Sequence, residues 1–196
     1  MKLSVGLSFF CTLGLATISS SYAAPENIRV PSGFASTFVP YATVDKRDRE
    51  PNVVRFMYIN PDATVAEGER FLPEGTQIVM VERVAQTAEN GETVFNEDGR
   101  MIPTNDVFKI IVSEKRSGVD AEYAEDMRMG DWEFGVFRPD GSAWPDVNFE
   151  ECRACHLKAQ QTDYTFSVFR NLSEISSWRS PGQPELGRKI AAKPIF

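Results

Sequence analysis

The chain has 196 residues, 42% of them hydrophobic and 25% charged, enough for a single globular domain with a sizeable core. Its net charge of −7 argues against nucleic acid and anionic membrane surfaces as partners. No internal repeat or low-complexity segment interrupts it.

Residues 1–23 read as a signal peptide. Lys2 supplies the positive start, an apolar run extends from Leu3 to Ile18, and small residues at Ser21 and Ala23 place cleavage after Ala23. A retained anchor is disfavoured because the run is short and softened by Gly6, Ser8 and Gly14. Export to the periplasm follows, with no membrane span in the mature chain. Its charge is −8, because −7 loses the one positive charge of Lys2, and Cys152 and Cys155 remain once Cys11 has left with the signal.

Residues 24–40 form an extended lead-in without clear period, and residues 41–170 form the domain. Four runs within it are rich in β-branched and aromatic residues: Val53 to Ile59, Gln77 to Val84, Val107 to Ser113 and Trp132 to Phe137. The turn signals are Pro73-Glu74-Gly75, Glu89-Asn90-Gly91, Glu97-Asp98-Gly99 and Pro139-Asp140-Gly141. The predicted class is therefore α+β, a mainly antiparallel sheet with a few short helices. Trp132 and Phe134 share one strand face and Phe137 takes the other. One helix is expected over Asp62 to Glu69 behind Pro61. A second begins at Asn148, an N-cap answered by Glu151 in a capping box, with Glu150 and Glu151 as first-turn residues. A third covers Leu172 to Trp178, and residues 171–196 end in an irregular tail.

The second helix carries Cys152-Arg153-Ala154-Cys155-His156, the Cys-x-x-Cys-His string of covalent haem c attachment. The thiols add to the two vinyl groups at one porphyrin edge, and the histidine after the second cysteine is carried beneath the iron. The alternative, a thioredoxin-like pair with an incidental histidine, needs a βαβ setting that this late, β-rich position does not offer. His156 is the chain's one histidine, so the iron cannot be bis-histidine ligated. The sixth position is open, held by water, or taken by Met or Lys, with Met57, Met80, Met101, Met127 and Met129 candidates by residue type. An open iron among Phe, Met and Val side chains disfavours charged or large ligands and suits small neutral gases.

Asp131-Trp132-Glu133-Phe134-Gly135-Val136-Phe137, the Pro139-Asp140-Gly141 turn, Cys152 to His156 and Thr162-Asp163-Tyr164-Thr165-Phe166 together resemble the cytochrome P-460 and cytochrome c′-β family. Upstream, Arg55 to Pro61 and Phe71 to Thr76 look like that family's first sheet segments, so the resemblance spans about Tyr41 to Phe169. It implies a mainly antiparallel, often dimeric fold with one high-spin, five-coordinate haem c. Cys152 and Cys155 would be the attachment sites, His156 the iron ligand, and Arg55 a residue near the distal haem face. Arg55 could bond a bound ligand or pair with a propionate.

The family's cross-linking lysine would fall at or beside Met80, yet no lysine lies between Lys46 and Lys109. No cross-link is therefore expected, and Met80 either fills space or approaches the iron. Three functions follow. The leading one is capture or sensing of nitric oxide or a similar small molecule. The second is oxidation of hydroxylamine or a related nitrogen species, or peroxidase chemistry. The third is electron transfer through a His/Met haem with a periplasmic redox partner.

Overall fold

The computed structural model describes residues 27–63, 65 and 68–177. The expected signal peptide, Trp178 and the tail after it lie outside these residues. Five strands, β1 (Val39–Lys46), β2 (Val53–Ile59), β3 (Gln77–Ala85), β4 (Pro103–Lys115) and β5 (Trp132–Phe137), form one sheet in sequence order. Every neighbouring pair is antiparallel. A meander of this kind needs local reversals; predicted turns lie in the β2–β3 and β3–β4 connections, while the Pro139 to Gly141 turn follows β5 and folds Ala143 back onto Phe137. Thr76 N donates to Pro73 O at 3.2 Å and Gly141 N to Arg138 O at 3.0 Å, with Gly75 and Gly141 both at positive φ.

The α+β class expected from the sequence is the class observed. Strands β2 and β5 have the expected ends, and β3 runs one residue further. Strand β4 reaches from Pro103 to Lys115, beyond the expected Val107 to Ser113, because Pro103 pairs with Ala85 across a register irregularity that spans Thr104, Asn105 and Asp106, residues that carry no apolar signal. Strand β1 went unforeseen. Pro40 hides it, and the structure accommodates that proline on an edge strand beside a register shift between Pro40 and Ala42.

The helix expected over Asp62 to Glu69 is corrected: its described residues form turn and irregular structure, with Ala63 N on Asn60 O at 3.2 Å. Asn60 diverts the chain, since its side chain accepts from Gln77 N at 2.8 Å and donates to Gly75 O at 3.1 Å. Those bonds tie the segment to the start of β3 and compete with helix formation. The lead-in is also not wholly extended, since α1 (Phe34–Thr37) makes a single turn. After the sheet come α2 (Phe149–His156) and α3 (Leu172–Ser177).

Alternation along the strands gives the sheet two distinct faces. On one, Tyr58, Val79, Val81, Ile110, Val112 and Phe137 pack under Ile28 and Phe34 of the lead-in. Gly135 makes room there, because a Cβ at that position would stand 2.6 Å from Ile28 Cγ2. On the other, Met57, Ile59, Ile78, Met80, Trp132, Phe134 and Val136 pack against Phe149, Val168 and Ile175 from the C-terminal helical segments. Trp132 and Phe134 do share a face, and Phe137 takes the opposite one.

Candidate functional site

Helix α2 starts where the sequence says it should. Asn148 Oδ1 accepts from Glu151 N at 3.4 Å, and the Glu151 carboxylate accepts in return from the Asn148 side-chain amide at 3.0 Å. The reciprocal bond therefore comes from the cap's side chain and not from its backbone. Cys152 and Cys155 lie one turn apart on the helix as free, exposed thiols. Packing around Cys152 pushes its pKa up, with the Lys109 charge opposing, so it lacks the depressed pKa of a redox-active thiolate. Arg153, between them, turns inward and is buried, its guanidinium 4.6 Å over the Tyr123 ring. Tyr123 in turn donates to Glu133 at 2.8 Å, which anchors α2 to the end of the sheet.

His156 closes the helix. Its Nδ1 lies 2.6 Å from Tyr164 O, so that nitrogen carries the proton and donates to the carbonyl, leaving Nε2 with a free lone pair. Burial lowers the imidazole pKa, with the Tyr164 carbonyl acting in the opposite direction and the Arg55 charge assisting. A neutral ring is the form that binds metals. Phe134 and Phe166 hold it edge-on at 5.2 and 5.0 Å.

The carbonyl is positioned at a cost. Asp163 and Tyr164 both adopt positive φ, at 50° and 57°, a conformation that costs about 1–3 kcal/mol per non-glycine residue. The fully buried Asp163 carboxylate holds them there, accepting from Lys115 Nζ at 2.7 and 2.8 Å and from Leu72 N at 2.8 Å. Thr162 and Thr165 bond each other's carbonyls across the turn. Gly130 completes the seat, since a Cβ on it would meet the Tyr164 ring at 2.7 Å. Asp163, Lys115 and Gly130 carry no catalytic motif. The Thr162 to Phe166 segment was the one sequence signal that pointed to this region.

The sheet face beneath α2 is arranged in cross-strand rows. Met57 pairs with Met80 and Met80 with Ile111, while Arg55 pairs with Glu82 and Glu82 with Lys109. Both methionines are buried, and Met57 Sδ accepts from Ser167 at 3.6 Å. Arg55 forks onto Glu82 Oε1 through Nε at 2.9 Å and Nη2 at 2.5 Å, and Lys109 Nζ stands 3.5 Å from Glu82 Oε2. The apolar surroundings expected for the site are therefore crossed by a charged row. Lysine is missing from β3, but the sheet brings Lys109 to the same face from β4. Nearby Tyr41 is pushed above the ordinary phenol range by burial, against a bond with Ser167 and the Arg55 charge.

The family model for cytochrome P460 matches residues 31–167, more than two thirds of the chain, including the strands and α2. The chain belongs to the cytochrome P460 family. No curated protein matches it closely enough to be counted a relative. Family membership implies a haem c, and the donor set of this cytochrome P460 member fits one. Two free thiols and a histidine with Nε2 unspent lie on one short helix. Three of the five exposed large hydrophobic side chains among the described residues, Val44, Leu157 and Phe166, are the register partner of Arg55, the residue after His156 and the ring against His156. A flat apolar macrocycle would cover such surface. No described helix is long and apolar enough to cross a membrane.

Proposed function

We propose that this cytochrome P460 family member is an exported mono-haem c-type cytochrome that binds a small ligand, such as nitric oxide, at an open iron position. Cys152 and Cys155 would form the thioether links and His156 Nε2 would ligate the iron. The observation that carries the reading is the 2.6 Å contact between His156 Nδ1 and Tyr164 O, because it fixes the tautomer that the chain's one histidine needs as a metal ligand.

Haem supplies an iron centre that accepts a ligand or an electron. The protein's own part is to orient and to exclude. The Asp163 turn fixes the imidazole plane, Phe134 and Phe166 keep water from its edges, and Met57, Met80 and Arg55 line the sheet side. Met57 is held by Ser167, which supports a packing role for its sulfur over iron ligation.

The test is the optical spectrum of the purified reduced protein before and after nitric oxide is added. A high-spin spectrum that changes with the gas is expected. A sharp low-spin spectrum that ignores it would overturn the reading in favour of a His/Met electron carrier. A ferrous band displaced far to the red would reveal a modified haem, and dye reduction by hydroxylamine faster than by free haem would place the protein among the oxidising enzymes.

A further inference from the structure

We propose that Arg153 is a positioning residue of the haem site: it fixes the turn of α2 that carries His156 and holds a buried positive charge beside it, which favours the reduced iron. The inference rests on the haem reading above and adds a residue to that site.

Chain geometry places Arg153 at the attachment turn. It follows Cys152 directly, and with His156 it forms an i, i+3 pair on α2, which sets their Cβ atoms about 5–6 Å apart. Phe149 and Arg153, one turn apart, are the buried residues of this helix. Phe149 enters the core beside Phe134. Arg153 is only 3% exposed and lies 4.6 Å over the Tyr123 ring.

The hold on α2 closes as a circuit of contacts. Tyr123 donates to Glu133 at 2.8 Å, and Glu133 precedes Phe134 on β5, whose ring stands 5.2 Å from that of His156. Consecutive strand residues point to opposite faces. The edge strand therefore grips one turn of the helix from two sides, at Arg153 through Tyr123 and at His156 through Phe134.

The charge in this circuit is not spent on a neighbour. Arg153 Nε and Nη2 are buried without a hydrogen-bond partner. Burial lowers the Arg153 pKa, with Tyr123, Asp120 and Glu133 acting in the opposite direction, and a guanidinium stays protonated throughout. Those two carboxylates are bonded elsewhere: Asp120 Oδ1 accepts from Met129 N at 2.7 Å, and Glu133 Oε1 from Tyr123 and from Phe134 N at 3.3 Å. An apolar side chain would anchor the helix at lower cost than a buried ion. What the cation adds is a fixed field in a medium of low dielectric, which stabilises the iron form carrying one more electron.

The test reads the reduction potential and spectrum of the haem-loaded protein. Arg153→Met keeps an unbranched stem over the Tyr123 ring and removes the charge. The reduction equilibrium constant should fall about fivefold, a shift of about 40 mV at about 59 mV per tenfold for one electron. Arg153→Lys retains the charge and should stay within about twofold of the parent. Glu133→Gln keeps an acceptor for Tyr123, removes an opposing charge and should raise the constant about threefold. Because it leaves Arg153 in place, this variant tests the sign even where Arg153→Met does not fold. Arg29→Met, at an exposed position on the lead-in, should move the constant by less than about 1.5-fold, which separates a local field from net charge. In urea, haem-free Arg153→Met should unfold no earlier than the parent. Lower stability with an unchanged potential would make Arg153 a strut only and overturn the proposal. Equal potentials in the parent, Arg153→Met and Glu133→Gln, with normal spectra, would overturn this proposal alone. Absence of attached haem in the parent would overturn the haem reading and this proposal with it.

Discussion

The two faces of the sheet are built from the same strands and are opposite in character. The face under the lead-in is filled by aliphatic and aromatic side chains and closed by Ile28 and Phe34 of the chain itself. The face under α2 mixes methionines and a charged row with a rim of exposed apolar groups. A face that exists to fold is satisfied by its own sequence. Unspent donors and exposed rings on the other point to a partner outside the chain.

Substitutions at the attachment helix should break that contrast most completely. Replacing Cys152 or Cys155 by Ser is expected to weaken haem attachment, and His156→Ala to leave haem attached with abnormal iron ligation, read by the mass of the denatured protein and its visible spectrum. Unchanged masses and spectra in all three variants would remove the haem assignment altogether.

Next in size is Asp163→Ala, which strands Lys115 and Leu72 N and releases two positive-φ residues. A loss of about 3–5 kcal/mol in urea unfolding is expected, together with a changed spectrum as Tyr164 O leaves His156. Ile110→Ala on the opposite face should cost about 2–4 kcal/mol by cavity formation. Its ligand affinities should stay at the parental values. A ligand effect as large as that of Asp163→Ala would mean that the two faces are coupled.

The smallest effect is a pH slope in haem-free protein. Burial lowers the His156 pKa below its ordinary 6.5, so the unfolded chain binds more protons than the folded one as pH falls. The stability contributed by the neutral ring is present in full above the unfolded value near 6.5 and is lost as pH falls through the folded value. Unfolding midpoints measured across that window should rise with pH, and His156→Gln should flatten the rise. An unchanged slope in His156→Gln would show that another group dominates.

Local patterns were legible in the sequence because each is written within a few residues. Alternating apolar runs gave four strands, glycine turns gave the antiparallel order, and Asn148 with Glu151 gave the start of α2. The Cys152 to His156 string suggested haem attachment by residue type and spacing, which is the reading proposed above. Strand β1 escaped because its Pro40 mimics a break, and the Asp62 to Glu69 helix failed because Asn60 bonds residues 15 and 17 positions away. The site's supports escaped for the same reason. Asp163 meets Lys115 from 48 residues away and Leu72 from 91, and the cross-strand register alone brings Arg55, Glu82 and Lys109 into one row. The sequence by itself nominated the residues proposed to hold a haem, since that proposal depends on residue type and local spacing. The pairing of distant strands decided what surrounds it, because buried charges are matched by position in space.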